Sequence, residues 1–150
     1  MTATLLLLAV TLAPADASSS PDQPPPAAAV LVNDLHELQG KWVVEFCVLD
    51  GDDWTSQFEG QIWCFAGSRA WYSPGGFQTE DDSRFDVDRK VGPLGINLHR
   101  GGRIRAGIAC MSDDHMVWAY VRRSGRSRPA TLDSPKGSEV VLWTLRRVKE

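Results

Sequence analysis

Residues 103–110 read Arg-Ile-Arg-Ala-Gly-Ile-Ala-Cys, and every second residue of this stretch is apolar. The side chains of a β-strand alternate between its two faces, so this spacing predicts a half-buried strand with one apolar face. Arg103 and Arg105 occupy the opposite, polar face. The apolar face is formed by Ile104, Ala106, Ile108 and Cys110.

Other short runs of β-branched and aromatic residues follow one another along the chain, separated by the Gly, Pro, Asp and Ser residues that favour turns. These runs predict eight strands: Lys41–Leu49, Gln61–Ala66, Arg69–Ser73, Ser83–Asp88, Leu94–His99, Arg103–Cys110, His115–Arg122 and Glu139–Val148. Eight antiparallel strands in sequence order can close into a barrel, which removes the unpaired edges of an open sheet. The sequence therefore predicts an all-β fold, an eight-stranded antiparallel up-and-down barrel.

A short helix is predicted in front of the first strand. Residues 33–40 begin with Asn33, which is a favourable N-cap residue, and end with Gly40 at the position that commonly follows a helix C-terminus. Leu35 and Leu38 lie three residues apart, which gives the helix an apolar side.

The last predicted strand carries apolar residues on both of its faces. Val140 and Leu142 alternate with Val141 and Trp143. Since a strand with two apolar faces is covered on both sides, we expect another part of the chain to pack on the outside of the barrel there.

The first 32 residues are predicted to lie outside the barrel. Leu5–Leu12 has the length and apolar character of a secretory signal core, and Ala13–Ala17 resembles a signal-peptidase site, although no Lys or Arg precedes Leu5. We expect a signal peptide over residues 1–17, a Pro- and Ser-rich disordered linker over 18–32 and the barrel domain over 33–150. The predicted location is periplasmic or extracellular.

Composition limits the partners of the chain. Its 150 residues include 16 Lys and Arg against 19 Asp and Glu, a formal net charge of −3, which disfavours nucleic acid as a partner. Leu5–Leu12 is shorter than the roughly 20 apolar residues that cross a bilayer, and no Cys that could carry a lipid precedes Cys47. We therefore expect no stable membrane anchor.

The two ends of the predicted barrel sequence carry a familiar pairing. Gly40-Lys41-Trp42 opens the first strand, and Arg146-Arg147 closes the last one. This arrangement resembles the calycins and lipocalins, in which a Gly-x-Trp motif at the barrel base packs beneath an arginine of the final strand. Residues 34–42, Asp-Leu-His-Glu-Leu-Gln-Gly-Lys-Trp, more specifically resemble the start of an uncharacterised lipocalin-like domain family typical of exported planctomycete proteins.

The resemblance spans about residues 33 to 148. It continues through Phe65–Ser68, Phe85–Asp88, Gly107-Ile108, Arg128-Pro129 and Leu142–Arg147. The sequence departs from the family where Ala109-Cys110 stands in place of an aromatic residue. The resemblance implies a lipocalin-like barrel, export, and a barrel-closing motif of Gly40, Trp42, Arg146 and Arg147. It implies no established activity and no catalytic residues.

The residue pattern predicts neither a catalytic site nor a metal site. His36, His99 and His115 lie far apart in sequence, with no Cys or acid at the spacing of a zinc-ligand pair. No Gly-x-Ser-x-Gly motif is present, and the acid clusters fall in predicted turns, where water keeps their pKa values ordinary. We therefore expect a non-enzymatic protein with no catalytic residues, metal or cofactor.

Aromatic residues on the predicted strands are candidates for lining a ligand cavity. These candidates are Phe46, Trp63, Phe65, Trp118, Tyr120 and Trp143. Small eight-stranded barrels either fill with side chains or hold one small molecule, and the sequence leaves both alternatives open.

A basic cluster is the candidate for an anion-binding rim. Its members are Arg122, Arg123, Arg126 and Arg128. Guanidinium groups bind carboxylate, sulfate or phosphate through paired hydrogen bonds. Arg100, Arg103 and Arg105 add positive charge on neighbouring predicted strands, so an acidic ligand at one rim is a further hypothesis, which predicts salt-sensitive binding.

Three cysteines, Cys47, Cys64 and Cys110, occur in a chain that we expect to reach an oxidising compartment. Cys47 and Cys64 lie on adjacent predicted strands, so a disulfide between them is one alternative. The other is that all three serve as small buried apolar residues.

Taken together, these patterns favour an exported lipocalin-like protein that binds a small apolar or amphipathic molecule in its barrel. One alternative is a filled barrel that acts outside the cytoplasm as an interaction module for a protein or polymer. Another alternative is an envelope enzyme whose site is assembled from loops.

Overall fold

The computed structural model describes residues 36–76, 82–92 and 94–149. The predicted signal peptide, the predicted linker and the first three residues of the predicted helix lie outside these ranges. No helix within them is long and apolar enough to cross a membrane.

The described chain is built almost entirely from strands. Its elements, in order, are α1 (residues 36–38), β1 (Gly40–Leu49), β2 (Asp52–Asp53), α2 (Thr55–Phe58), β3 (Gln61–Ala66), β4 (Arg69–Pro74), β5 (Ser83–Asp88), β6 (Gly95–Arg100), β7 (Arg103–Met111), β8 (His115–Val121) and β9 (Val140–Arg147). All strand pairs are antiparallel, and the order β1-β3-β4-β5-β6-β7-β8-β9 closes through a β1–β9 pairing. Strand β2 adds a short edge to β1. The predicted all-β, eight-stranded up-and-down barrel is therefore confirmed.

The barrel is closed at the end where β1 begins. The fully buried Trp42 donates its indole N–H to the Leu38 carbonyl at 2.9 Å, and the Arg147 guanidinium lies 4.1 Å from the centre of its ring. Arg147 also donates to the carbonyls of Gln39 (2.8 Å) and Glu37 (2.5 Å), which ties α1 across the barrel end. Arginine over an indole face adds a cation–π attraction to these hydrogen bonds.

Two other members of the predicted closing motif have different places. Gly40 adopts a φ of +110°, a conformation that L side chains rarely adopt, and lies next to the Arg147 guanidinium. Arg146 does not contribute to the closed end, because alternation along β9 turns it outward, where it pairs with Glu45 (Nε to Oε1, 2.6 Å).

A β-bulge in β1 changes which residues face the interior. Val44 pairs with Leu145 and Phe46 with Thr144, so Glu45 is the extra residue on the β1 side. Val44 and Cys47 are buried, whereas Phe46 is 41% exposed. The expectation that Phe46 faces the interior is therefore wrong.

The outer face of the barrel is covered beside β8 and β9, as the two-faced pattern of the last strand predicts. The Ser134 hydroxyl, on the segment between these strands, donates to the Val140 carbonyl at 2.7 Å. A second apolar cluster lies beneath this segment: Val91, Ile108, Ala119, Val121, Leu132, Val140 and Leu142.

The two faces of β7 are the reverse of what its alternation suggests. Ala109 belongs to the interior cluster and Ile108 to the outer one, so Arg105, four residues before Ala109, faces the interior. The apolar face of residues 103–110 is the outer face, and Ile104 on it is 48% exposed.

The predicted Cys47–Cys64 disulfide is absent, and all three cysteines are free thiols. Cys64 pairs across strands with Lys41, which lies six residues from Cys47 along β1. That offset amounts to about 20 Å, whereas disulfide-bonded Cα atoms are at most about 7 Å apart. Cys47 also faces the interior core, whereas the Cys64 thiol donates to the Gly76 carbonyl.

Candidate functional site: the barrel mouth

The end opposite Trp42, the mouth, lies between the chain segments 50–60, 101–102 and 122–139. Three adjoining depressions of about 490, 420 and 220 Å³ lie there, and Arg105 lines all of them. The largest two also share Arg122 and Arg123. Ligand sites in proteins are concave and combine apolar walls with a few polar groups, so this is the region to consider for binding.

An aromatic cluster fills the barrel interior below the mouth. Five of the six predicted cavity residues contribute to it: Trp63, Phe65, Trp118, Tyr120 and Trp143. Ring centroids of Trp63 and Trp118 are 5.0 Å apart, and those of Trp118 and Tyr120 are 4.9 Å apart. These residues pack against one another, so the space left for a small molecule lies above them, at the mouth.

The upper surface of this cluster forms an aromatic floor for the depression of about 220 Å³. The aromatic floor consists of Trp63, Tyr72 and Tyr120. Tyr72 lies 5.0 Å from Trp63, centroid to centroid, and is 42% exposed. Helix α2, which the sequence analysis does not predict, adds Phe58 beside Tyr72 and Trp143.

Three buried indole N–H groups in the cluster have no hydrogen-bond acceptor among the described residues. They belong to Trp63, Trp118 and Trp143. A buried donor without an acceptor costs free energy, and such groups are rare in folded proteins. Trp63 is the one of these three that also lines the depression above the aromatic floor.

Small residues on β7 make room for the indoles. A Cβ atom on Gly107 would lie only 2.8 Å from Trp118 Nε1 and 2.7 Å from the Ala119 carbonyl oxygen. The inward face of β7 therefore holds Gly107 and Ala109, followed towards the mouth by Arg105. This run of small residues is the sequence signal that reveals the inward face, since bulky side chains on β8 require small neighbours in a narrow barrel.

The predicted anion-binding rim divides into separate groups. Arg122 and Arg123 lie at the mouth, and Arg123 pairs with Glu139 at 2.9 Å, with Arg126 at 3.9 Å from the same carboxylate. Arg128 is not on the rim, because it reaches across the outer face to the Gly107 carbonyl. The geometry instead adds Arg105 to the mouth.

Burial keeps the titratable groups of the interior in their neutral forms. Burial raises the pKa of Tyr120 to about 12, and the nearby Trp143 indole and Arg105 guanidinium partly oppose that rise. Burial, with a smaller contribution from the Asp53 carboxylate, raises the pKa of the Cys47 thiol to about 11. A thiol with a raised pKa is a poor nucleophile at neutral pH.

The histidines lie on the outside of the barrel. His99 Nε2 contacts the Asp86 carboxylate, and Asn97 donates to the other oxygen of Asp86 at 2.7 Å. His115 Nε2 lies 3.9 Å from Glu45, and His36 is exposed on α1. Over residues 36–76, 82–92 and 94–149, no three His, Cys, Asp or Glu side chains come together as a metal-ligand set.

Comparison with protein-family models, with curated proteins and with solved structures gives no match to this chain.

Proposed function

We propose that this protein is an exported, non-enzymatic barrel that binds a small amphipathic molecule at its mouth. The observation that carries the proposal is one depression in which the aromatic floor adjoins the inward-facing Arg105. Aromatic rings supply apolar contact area, and the guanidinium supplies orientation through hydrogen bonds. Such binding needs no cofactor, because burial of apolar surface provides the affinity.

The packing below the floor favours a ligand at the mouth over one enclosed in the barrel. Phe65 and Trp118 lie in ring contact beneath Trp63, with centroids 6.0 Å apart. A ligand deeper in the barrel would have to displace these rings, and close-packed interiors resist such displacement. The polar part of the ligand then remains near solvent, which suits an amphipathic molecule.

Export is the second part of the proposal. It is supported by the apolar run Leu5–Leu12 and the small residues of Ala13–Ala17. A protein cleaved after Ala17 would begin at Ser18.

One experiment tests both parts. The full chain is expressed in a Gram-negative host, recovered from the periplasm and compared by native and denaturing mass spectrometry. We expect a denatured mass that begins at Ser18, and a heavier folded mass that loses a small molecule on denaturation. Recovery of uncleaved protein from the cytoplasm alone would refute export. A folded mass equal to that of the bare chain, even after incubation with mixed lipids and aromatic compounds, would refute binding and favour a filled interaction module.

A pair of variants on β5 locates the bound molecule. Ser83 lines the depression above the aromatic floor, whereas its neighbour Arg84 faces outward. Ser83→Phe should fill the depression and abolish the mass difference, while Arg84→Phe should leave it unchanged. Equal retention in both variants would place the molecule elsewhere.

A further inference from the structure

We propose that the polar group of the ligand is an anion, held by Arg105 while an aromatic ring of the ligand rests on the aromatic floor. This inference rests on the proposed function, since it names the chemical class of the molecule at the mouth: an aromatic acid.

The first observation is an accumulation of inward-facing arginines without acid partners. Arg103, Arg105 and Arg122 line the depression of about 420 Å³, and no carboxylate in the described part of the chain pairs with any of them. Arg103 also lies directly across the strand pair from Arg100. Like charges at cross-strand positions repel, so an anion between them would be stabilising.

The acids that border the mouth are engaged elsewhere. The Asp52 carboxylate accepts from Lys136 Nζ at 2.8 Å, and the Glu139 carboxylate pairs with Arg123 at 2.9 Å. The Asp50 carboxylate accepts the backbone N–H of Glu139 at 2.8 Å. These acids hold the mouth loops together and leave Arg105 for a ligand.

The second, independent observation is the donor-only character of the floor. Trp63 is 4% exposed, lines the depression and carries an indole N–H without an acceptor. An indole N–H can only donate, and so can a guanidinium. A carboxylate offers several acceptor sites and no donor, so it matches both groups.

The position of Arg105 brings the charge and the rings together. Arg105 pairs across strands with Leu98, and the inward position two residues further along β7 is Gly107, which pairs with Tyr120. Arg105 is close enough to Tyr120 to affect its ionisation. One molecule can therefore contact the guanidinium and the aromatic floor at once.

The test uses two matched pairs of probes with the full chain: benzoate with benzamide, and 2-naphthoate with 2-naphthamide. Each amide keeps the ring and replaces the charge by a neutral group. At low ionic strength we expect at least one acid to bind about tenfold more tightly than its amide, and added salt to reduce the difference. Binding is measured by isothermal titration calorimetry.

Substitutions assign the preference to one residue. Arg105→Gln should remove the tenfold preference for the acid and leave amide binding nearly unchanged. Arg105→Lys should keep part of the preference, because it retains the charge without the paired donors. Arg84→Gln removes a charge from the outer face and should change nothing.

The possible results separate the two proposals. Equal, salt-insensitive binding of acid and amide would refute the anion and leave mouth binding standing. Loss of both ligands in a folded Arg105→Gln protein would refute Arg105 as an anion anchor. Absence of binding for all four probes would refute the aromatic-acid assignment, whereas mouth binding itself is decided separately by the mass measurement and the Ser83→Phe variant.

Discussion

The closed end and the mouth of this barrel both place arginine beside tryptophan, and they differ in what the polar groups bind. At the closed end, the Trp42 N–H bonds to Leu38 and the Arg147 guanidinium bonds to Gln39, all through backbone carbonyls. At the mouth, the Trp63 N–H and the Arg105 guanidinium have no acceptor in the described chain. The same residue types serve stability where the chain supplies acceptors, and they favour binding where it does not.

Removal of the indole plug is the strongest way to break the closed end. Trp42 is fully buried, so we expect Trp42→Ala to lower the free energy of unfolding by about 3–5 kcal/mol. Tyr72→Ala removes a 42% exposed ring from the mouth and should cost about 1 kcal/mol. Equilibrium unfolding in urea measures both changes.

Equal losses in the two variants would contradict the assignment of the plug to the closed end. If Trp42→Ala does not fold, Trp42→Phe provides the same comparison. It keeps a ring in the plug but leaves the Leu38 carbonyl without its donor, so it should still be less stable than the wild-type protein.

The second comparison separates two adjacent arginines. Arg147→Met keeps the side-chain stem but loses the cation–π contact and the charged hydrogen bonds to Gln39 and Glu37. We expect a loss of about 2–3 kcal/mol. Arg146→Met removes only an exposed pair with Glu45 and should cost less than about 1 kcal/mol. A larger loss for Arg146→Met in urea unfolding would show that Arg146 supports the closed end.

The strand order and the closed end could be predicted from the sequence because both depend on local signals. Turn residues such as Gly101-Gly102 mark where strands reverse, and apolar runs between them are too short to be helices. The pairing of Trp42 with Arg147 follows once the first and last strands are neighbours. Each of the eight predicted strands is present with its ends within one residue.

The interior faces could not all be predicted, because facing depends on three-dimensional volume. The bulge at Glu45 shifts Phe46 to the outside, and no residue in β1 announces an extra residue in the register. On β7 the apolar Ile108 faces outward under a covering segment, while Gly107 faces inward to accommodate Trp118. Arg105 was therefore assigned to the polar outer face by alternation and belongs at the mouth.

Helix α2 was missed for a related reason. Thr55–Phe58 is a single turn, too short for an apolar period to be detected. The turn is held by tertiary contacts, including the Cys47 N–H donated to the Thr55 hydroxyl at 3.1 Å. Its Phe58 ring packs 5.2 Å from Trp143, centroid to centroid, so the packed barrel supplies the stability that the local sequence lacks.

The smallest predicted effect concerns Tyr120, which lies where the packed interior meets the mouth. Its folded pKa of about 12 exceeds the ordinary value of 10.0. The unfolded chain therefore releases a proton between pH 10 and 12 that the folded protein retains. The contribution of Tyr120 is fully present below pH 10 and falls by up to about 2 kcal/mol as the pH rises to 12.

Tyr120→Phe should remove this part of the alkaline loss, as measured by urea unfolding at a series of pH values. Cys47, with a pKa raised from 9.0 to about 11, contributes a similar loss at slightly lower pH and is unchanged in the variant. The difference between the two proteins should therefore develop mainly between pH 10 and 12. Identical alkaline slopes would mean that water reaches the Tyr120 hydroxyl freely. In that case the mouth extends deeper into the barrel, and the boundary between its two ends lies below Tyr120.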